Sequence, residues 1–165
     1  MTSTIRAVAL LRVLLVVVFC GFVVGQTLSM PGQFAHMAAE EPALAWLRWP
    51  LTVAAVLGLA CGQVVLVCIW RLLEMVKADR IFSSDAFRWV DAIVWGVFGA
   101  WAFFPAGAGA LVLTLYLTPE LRDPGLPILL GGTTLVGLVV VLLVVVLRAL
   151  LRQAAQLRTD MEGVI

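Results

Sequence analysis

The chain is short of charge, of histidine and of cysteine, and each shortage removes a class of protein. Only 13% of its 165 residues are charged, where an average soluble domain carries roughly a quarter. With 63% hydrophobic residues and a mean hydropathy of +1.10, the apolar surface exceeds what so small a core could cover. An ordinary soluble globule is excluded. A net charge of +1 gives no overall field for direct nucleic-acid binding or for an acidic substrate. The single histidine, His36, has Glu40 one helical turn away, but a metal site needs three or four converging ligands. Cys20, Cys61 and Cys68 lie inside apolar runs without a CxxC spacing and read as small packed hydrophobes. There is no nucleophile–base pair, phosphate-cradling glycine loop or metalloprotease motif. No cofactor is expected, and a non-enzymatic protein is the leading expectation.

What the sequence has in quantity is long uncharged runs. They extend over 13–39, 49–70, 92–119 and 124–147, and each exceeds the roughly 20 residues that a helix needs to cross a hydrocarbon core. None alternates with period two, which argues against a barrel. The expected fold is all-α: a polytopic, four-helix transmembrane bundle in one domain over 1–165, with helices at about 8–30, 49–78, 84–118 and 126–160. The first run follows Arg6 and Arg12, as a cleaved leader would. Its length, and Phe19 before Cys20 where a lipoprotein site wants a small residue, predict a retained helix.

Lysine and arginine predict the orientation. Arg6 and Arg12 precede the first span. Arg71, Lys77, Arg80 and Arg88 lie between spans two and three, and Arg148, Arg152 and Arg158 follow span four. The opposite side has Arg48 and Arg122 alone. This bias predicts that both termini are cytoplasmic, with the chain in the cell membrane. Outside, the segment 31–50 carries Trp46 and Trp49, suited to the headgroup zone, and its Ala43–Leu47 stretch suggests a short interfacial helix. Pro119, Pro124, Gly125 and Pro127 make the second outer connection tight. Inside, apolar positions continue past Trp70 and past Leu147 at helical spacing. Spans two and four should protrude there and can pack on each other.

Between spans two and three, Ser83 and Ser84 precede an apolar-periodic run, as a helix N-cap does, and Asp85 falls in the first turn beside the positive helix end. Arg80, Phe82-Ser83 and Trp89-Val90-Asp91, with the C-terminal run Leu151-Arg152-Gln153-Ala154-Ala155-Gln156-Leu157-Arg158 closing on Glu162-Gly163-Val164-Ile165, resemble a bacterial family catalogued as domain of unknown function 2975. Where that family has glycine before the arginine, this chain has Asp79. The resemblance implies a small four-helix membrane protein, often encoded beside a small helix-turn-helix regulator, and carries no known activity.

Small residues recur inside the spans at Gly21, Gly25 and Ser29, and at Gly58 and Gly62. Such stripes let helix backbones approach, within one chain or across a homo-oligomer. Gln63 sits mid-span and is expected to hydrogen-bond across helices, while Gln26, Ser29 and Gln33 share one face. Pro105, with Gly107 and Gly109, should bend the third span. No acid or base lies mid-span, although proton relays usually need one. The leading expectation is therefore a membrane protein that acts through a membrane or cytoplasmic protein partner. Its working face would hold Arg80, Ser83, Asp85, Arg88, Trp89, Asp91, Arg152 and Arg158. A small transporter or channel subunit is the alternative, and a membrane enzyme with an outward-facing site is the third reading.

Overall fold

The computed structural model describes residues 2–77, 84–118 and 125–162, and every element in them is helical. Helix α1 spans Thr2–Val24, α2 Met30–Glu40, α3 Arg48–Lys77, α4 Ser84–Leu117 and α5 Gly125–Glu162. A π-helical turn, Gly25–Ser29, joins α1 to α2, and a 3-10 helix, Pro42–Leu47, joins α2 to α3. Four helical stretches are long and apolar enough to cross a membrane: Val8–Glu40, Pro42–Met75, Ala86–Leu117 and Gly125–Leu157. In the most apolar window of each, only 6% of residues are buried inside the protein. Leucines and valines along α1 and α5 face outward, among them Val17 and Leu143. Those surfaces need lipid as their solvent.

The first span is longer than the sequence suggests. Pro31 reads as the start of an outer loop, yet the helix runs through it to Glu40. Proline has no N–H and its ring crowds the carbonyl four residues earlier. The π-turn immediately before it widens the helix: the Met30 N–H reaches back to the Gly25 carbonyl. The Thr27 hydroxyl donates to the Val23 carbonyl at 2.9 Å, supplying a further partner where the regular ladder is interrupted. At Glu41 the backbone turns extended (φ −124°, ψ 94°), and the stretch holding Ala43–Leu47 becomes the short 3-10 helix.

Helices α3 and α4 form the central pair. Helices α1 and α2 pack on α3, and α5 packs on α4. No contact joins α3 to α5 among the described residues, so the mutual packing expected of spans two and four beyond the bilayer is absent there. A buried apolar cluster lies at the end away from the arginine-rich termini. Leu44, Leu47, Leu51 and Leu115 are buried together there, flanked by Phe34, Met37 and Leu126, and Leu47 has no exposed surface. The 3-10 turn thus folds back as an apolar plug between the helix ends. Beneath it an apolar cleft of about 360 Å³ opens between α2 and α5, lined in part by Phe34, Phe103, Leu111 and Leu130.

Several polar groups inside the spans find partners within their own helix or on its neighbour, as a solvent without water favours. Threonine hydroxyls at 52, 114, 133 and 134 donate to carbonyls one turn earlier in their own helices. The amide of Gln26, in the π-turn, donates to the Gln63 side-chain oxygen at 3.1 Å and to the Val56 carbonyl at 3.3 Å. The indole of Trp101 donates to the Thr134 carbonyl of α5 at 3.0 Å. Helix α4 continues on both sides of Pro105.

Candidate functional site

The most organised polar constellation lies at the basic end, between α4 and α5. Asp91 is the eighth residue of α4. Arg148 and Arg152 stand one turn apart on α5 and therefore share a face. Arg148 Nε donates to Asp91 Oδ1 at 2.5 Å, and Arg152 Nη2 donates to Oδ2 at 3.2 Å. Both carboxylate oxygens are thus occupied by guanidinium groups from the neighbouring helix. The Asp91 and Arg148 side chains are 32% and 29% exposed, so the cluster is neither buried in protein nor open on all sides. It ties the lower ends of α4 and α5 together, the place where the sequence suggested α3 and α5 would meet.

Around this clamp the other expected surface residues are dispersed. Trp89 is half-buried and Arg88 is exposed near the start of α4. Asp85 belongs to the first turn of α4 and Arg158 to the last turns of α5. Arg80 and Ser83 lie outside the described residues, as does any capping contact from Ser83; Ser84 is the first residue of α4. Past Arg148, helix α5 continues to Glu162 with Leu150, Leu151 and Leu157 exposed at 54%, 48% and 64%.

A family profile described as protein of unknown function, DUF2975, matches residues 32–165. The chain belongs to this family. No curated protein and no solved structure matches it. The matched region of this DUF2975 protein takes in Asp91, Arg148, Arg152 and the whole of α3, α4 and α5.

Among the glycines singled out from the sequence, Gly62 stands against Phe22 of α1, where an added Cβ would lie 2.6 Å from the ring. Gly25 faces Leu59 and Gly58 faces Phe103, both with room for a methyl group. Gly21 differs: nothing lies within 4 Å of a Cβ built there. Equally close approaches belong to residues that sequence reasoning passed over. A Cβ at Gly96 would lie 2.6 Å from Val65 and 3.3 Å from the Cys61 carbonyl, and one at Gly137 would lie 2.6 Å from Trp101. Gly96 with Ala100 is a small residue followed by another four positions later, the same signal that drew attention to Gly58.

His36 Nε2 lies 3.1 Å from Glu40 Oε1 on the exposed face of α2. Among the described residues no group of three or more His, Cys, Asp or Glu side chains is disposed to hold a metal ion.

Proposed function

We propose that this DUF2975 protein is a non-enzymatic cell-membrane protein, with both termini cytoplasmic, that works by docking a protein partner on the cytoplasmic end of α5. The uncovered apolar side chains on that projecting helix carry the reading. At 38 residues and 1.5 Å per residue, α5 is about 57 Å long. The hydrocarbon core is about 30 Å thick, so roughly four turns after Arg148 extend beyond it. Leu150, Leu151 and Leu157 are exposed on those turns, and an apolar stripe in water favours a protein cover.

Charge supports a protein over a lipid surface as that cover. Residues 71–91 carry Arg71, Lys77, Arg80 and Arg88 against Glu74, Asp79, Asp85 and Asp91. A polybasic membrane-binding patch needs a basic excess. The Asp91 clamp holds the root of the projecting helix, so the leucines are presented from a fixed base.

Two results are expected. In a variant with the native cysteines replaced, Ser84→Cys should react with an impermeant thiol reagent only after the cells are opened. Labelling of intact cells would reverse the orientation. Replacing Leu151 and Leu157 by serine should remove a stoichiometric co-purifying protein while leaving the thermal midpoint in detergent unchanged. If gently solubilised native membranes yield no stoichiometric partner for the unmodified protein, docking on α5 is wrong.

A further inference from the structure

A second feature of the basic end lies on the opposite flank of the bundle, between α1 and α3. The two helices touch where Phe22 crosses Gly62. Closer to the basic end a groove of about 430 Å³ separates them, lined by Leu15, Val16 and Phe19 from α1 and by Leu66, Val67 and Trp70 from α3, with Arg71 and Glu74 at its mouth. That volume is in the range of small-molecule sites, roughly 300–1,000 Å³. Arg12 precedes Leu15, Val16 and Phe19 by three, four and seven residues, and so shares their helix face. Its guanidinium carbon lies 5.2 Å from the centre of the Trp70 ring.

Arg12 is the unsatisfied member of this group. Its Nε is buried and has no hydrogen-bond partner, although a buried donor ordinarily has one. The nearby carboxylate is engaged elsewhere: Glu74 accepts from the Trp70 indole at 3.1 Å and from Arg71 at 3.3 Å. Arg12, Arg71 and Glu74 together leave one net positive charge at the mouth of a groove whose walls are apolar. The sequence places this mouth at the boundary between the charged N-terminus and the first uncharged run, the level of phosphate headgroups.

We propose that the groove between α1 and α3 binds one anionic phospholipid from the adjoining leaflet. Its phosphate accepts hydrogen bonds from the outer guanidinium nitrogens of Arg12, and an acyl chain lies along Leu15, Phe19 and Val67. A planar guanidinium suits phosphate oxygens, and the Trp70 face holds it at the required depth. A hydroxylated headgroup such as glycerol can also donate to Glu74, which a choline headgroup cannot do. The site is separate from the α5 docking surface, and the two readings stand or fall independently.

The test is native mass spectrometry of the full chain, exposed to equal amounts of phosphatidylglycerol and phosphatidylcholine with the same acyl chains. The unmodified protein should retain phosphatidylglycerol in preference by about fivefold, the scale of one basic side chain at an anionic surface. Arg12→Gln should bring the preference close to one. Val67→Trp, which fills the groove at a half-exposed position and leaves Arg12 intact, should reduce retention of the lipid itself. Equal retention of both lipids by the unmodified protein overturns the proposal, as does a full preference in Arg12→Gln. Unreduced retention in Val67→Trp overturns the acyl-chain placement. If inorganic phosphate at millimolar concentration displaces the lipid, the site is a phosphate site without a lipid groove. If position 67 crosslinks in native membranes to a protein and no lipid is retained, the groove is a helix-docking surface and the proposal fails.

Discussion

Replacing Gly96 by leucine should cost about 3 kcal/mol or more, the upper range for overpacking a close contact, and should lower the thermal midpoint in detergent sharply. Helix α4 approaches α3 so closely here that a single added carbon would meet both Val65 and the carbonyl of Cys61. The valine can rotate, but the carbonyl belongs to the α3 backbone and cannot move aside. The central pair of the bundle must therefore separate along its length. Gly99 adds to the constraint one turn further on, where a Cβ would lie 3.0 Å from the Cys61 sulfur. Gly21→Leu is the matched control, since nothing stands within 4 Å of that position. The control should keep its midpoint. An unchanged midpoint for Gly96→Leu would mean that α3 and α4 do not approach as described. If Gly21→Leu keeps its fold but loses an oligomer, the outward-facing glycine belongs to a contact between copies.

Asp91→Ala should be the most damaging polar substitution. It removes the shared acceptor of Arg148 and Arg152, leaving two like charges one turn apart without their anion. Like charges at that spacing repel, and the lost bonds are charge-assisted. The lower ends of α4 and α5 should part, with a fall of several degrees in the thermal midpoint. Because the cluster is about one-third exposed, salt screens it in part, and the difference from the unmodified protein should narrow as ionic strength rises. Asp91→Asn keeps the shape and one acceptor oxygen, and should be milder. A charge swap, Asp91→Arg with Arg148→Glu, should recover part of the loss. If the double variant is as unstable as the sum of its parts, Asp91 and Arg148 do not interact.

The spans were legible because crossing a bilayer is a local requirement. Some 20 consecutive apolar residues satisfy it whatever their neighbours, and the four uncharged runs correspond to four long helices. The family was legible for a similar reason: Arg80, Trp89-Val90-Asp91 and the run from Leu151 are short strings that need no partner to be read, and the family match spans them. Rotation and pairing of the helices were not legible. Lipid tails are as apolar as leucine, so the face of a span that meets protein carries no stronger apolar signal than the face that meets lipid. Spacing alone made Gly21 and Gly62 equivalent, yet one looks into open space and the other into Phe22. Pro31 looked like the end of a helix until a π-turn absorbed it. Asp91 read as part of a partner-docking face, and only the packing of α5 on α4 brought Arg148 and Arg152 to it. Sequence by itself determined which segments are long and apolar enough to cross a membrane and where charge must stop. Tertiary structure decided which surfaces face one another, because that depends on close approach of backbones and on which charge finds a counter-ion at the membrane edge.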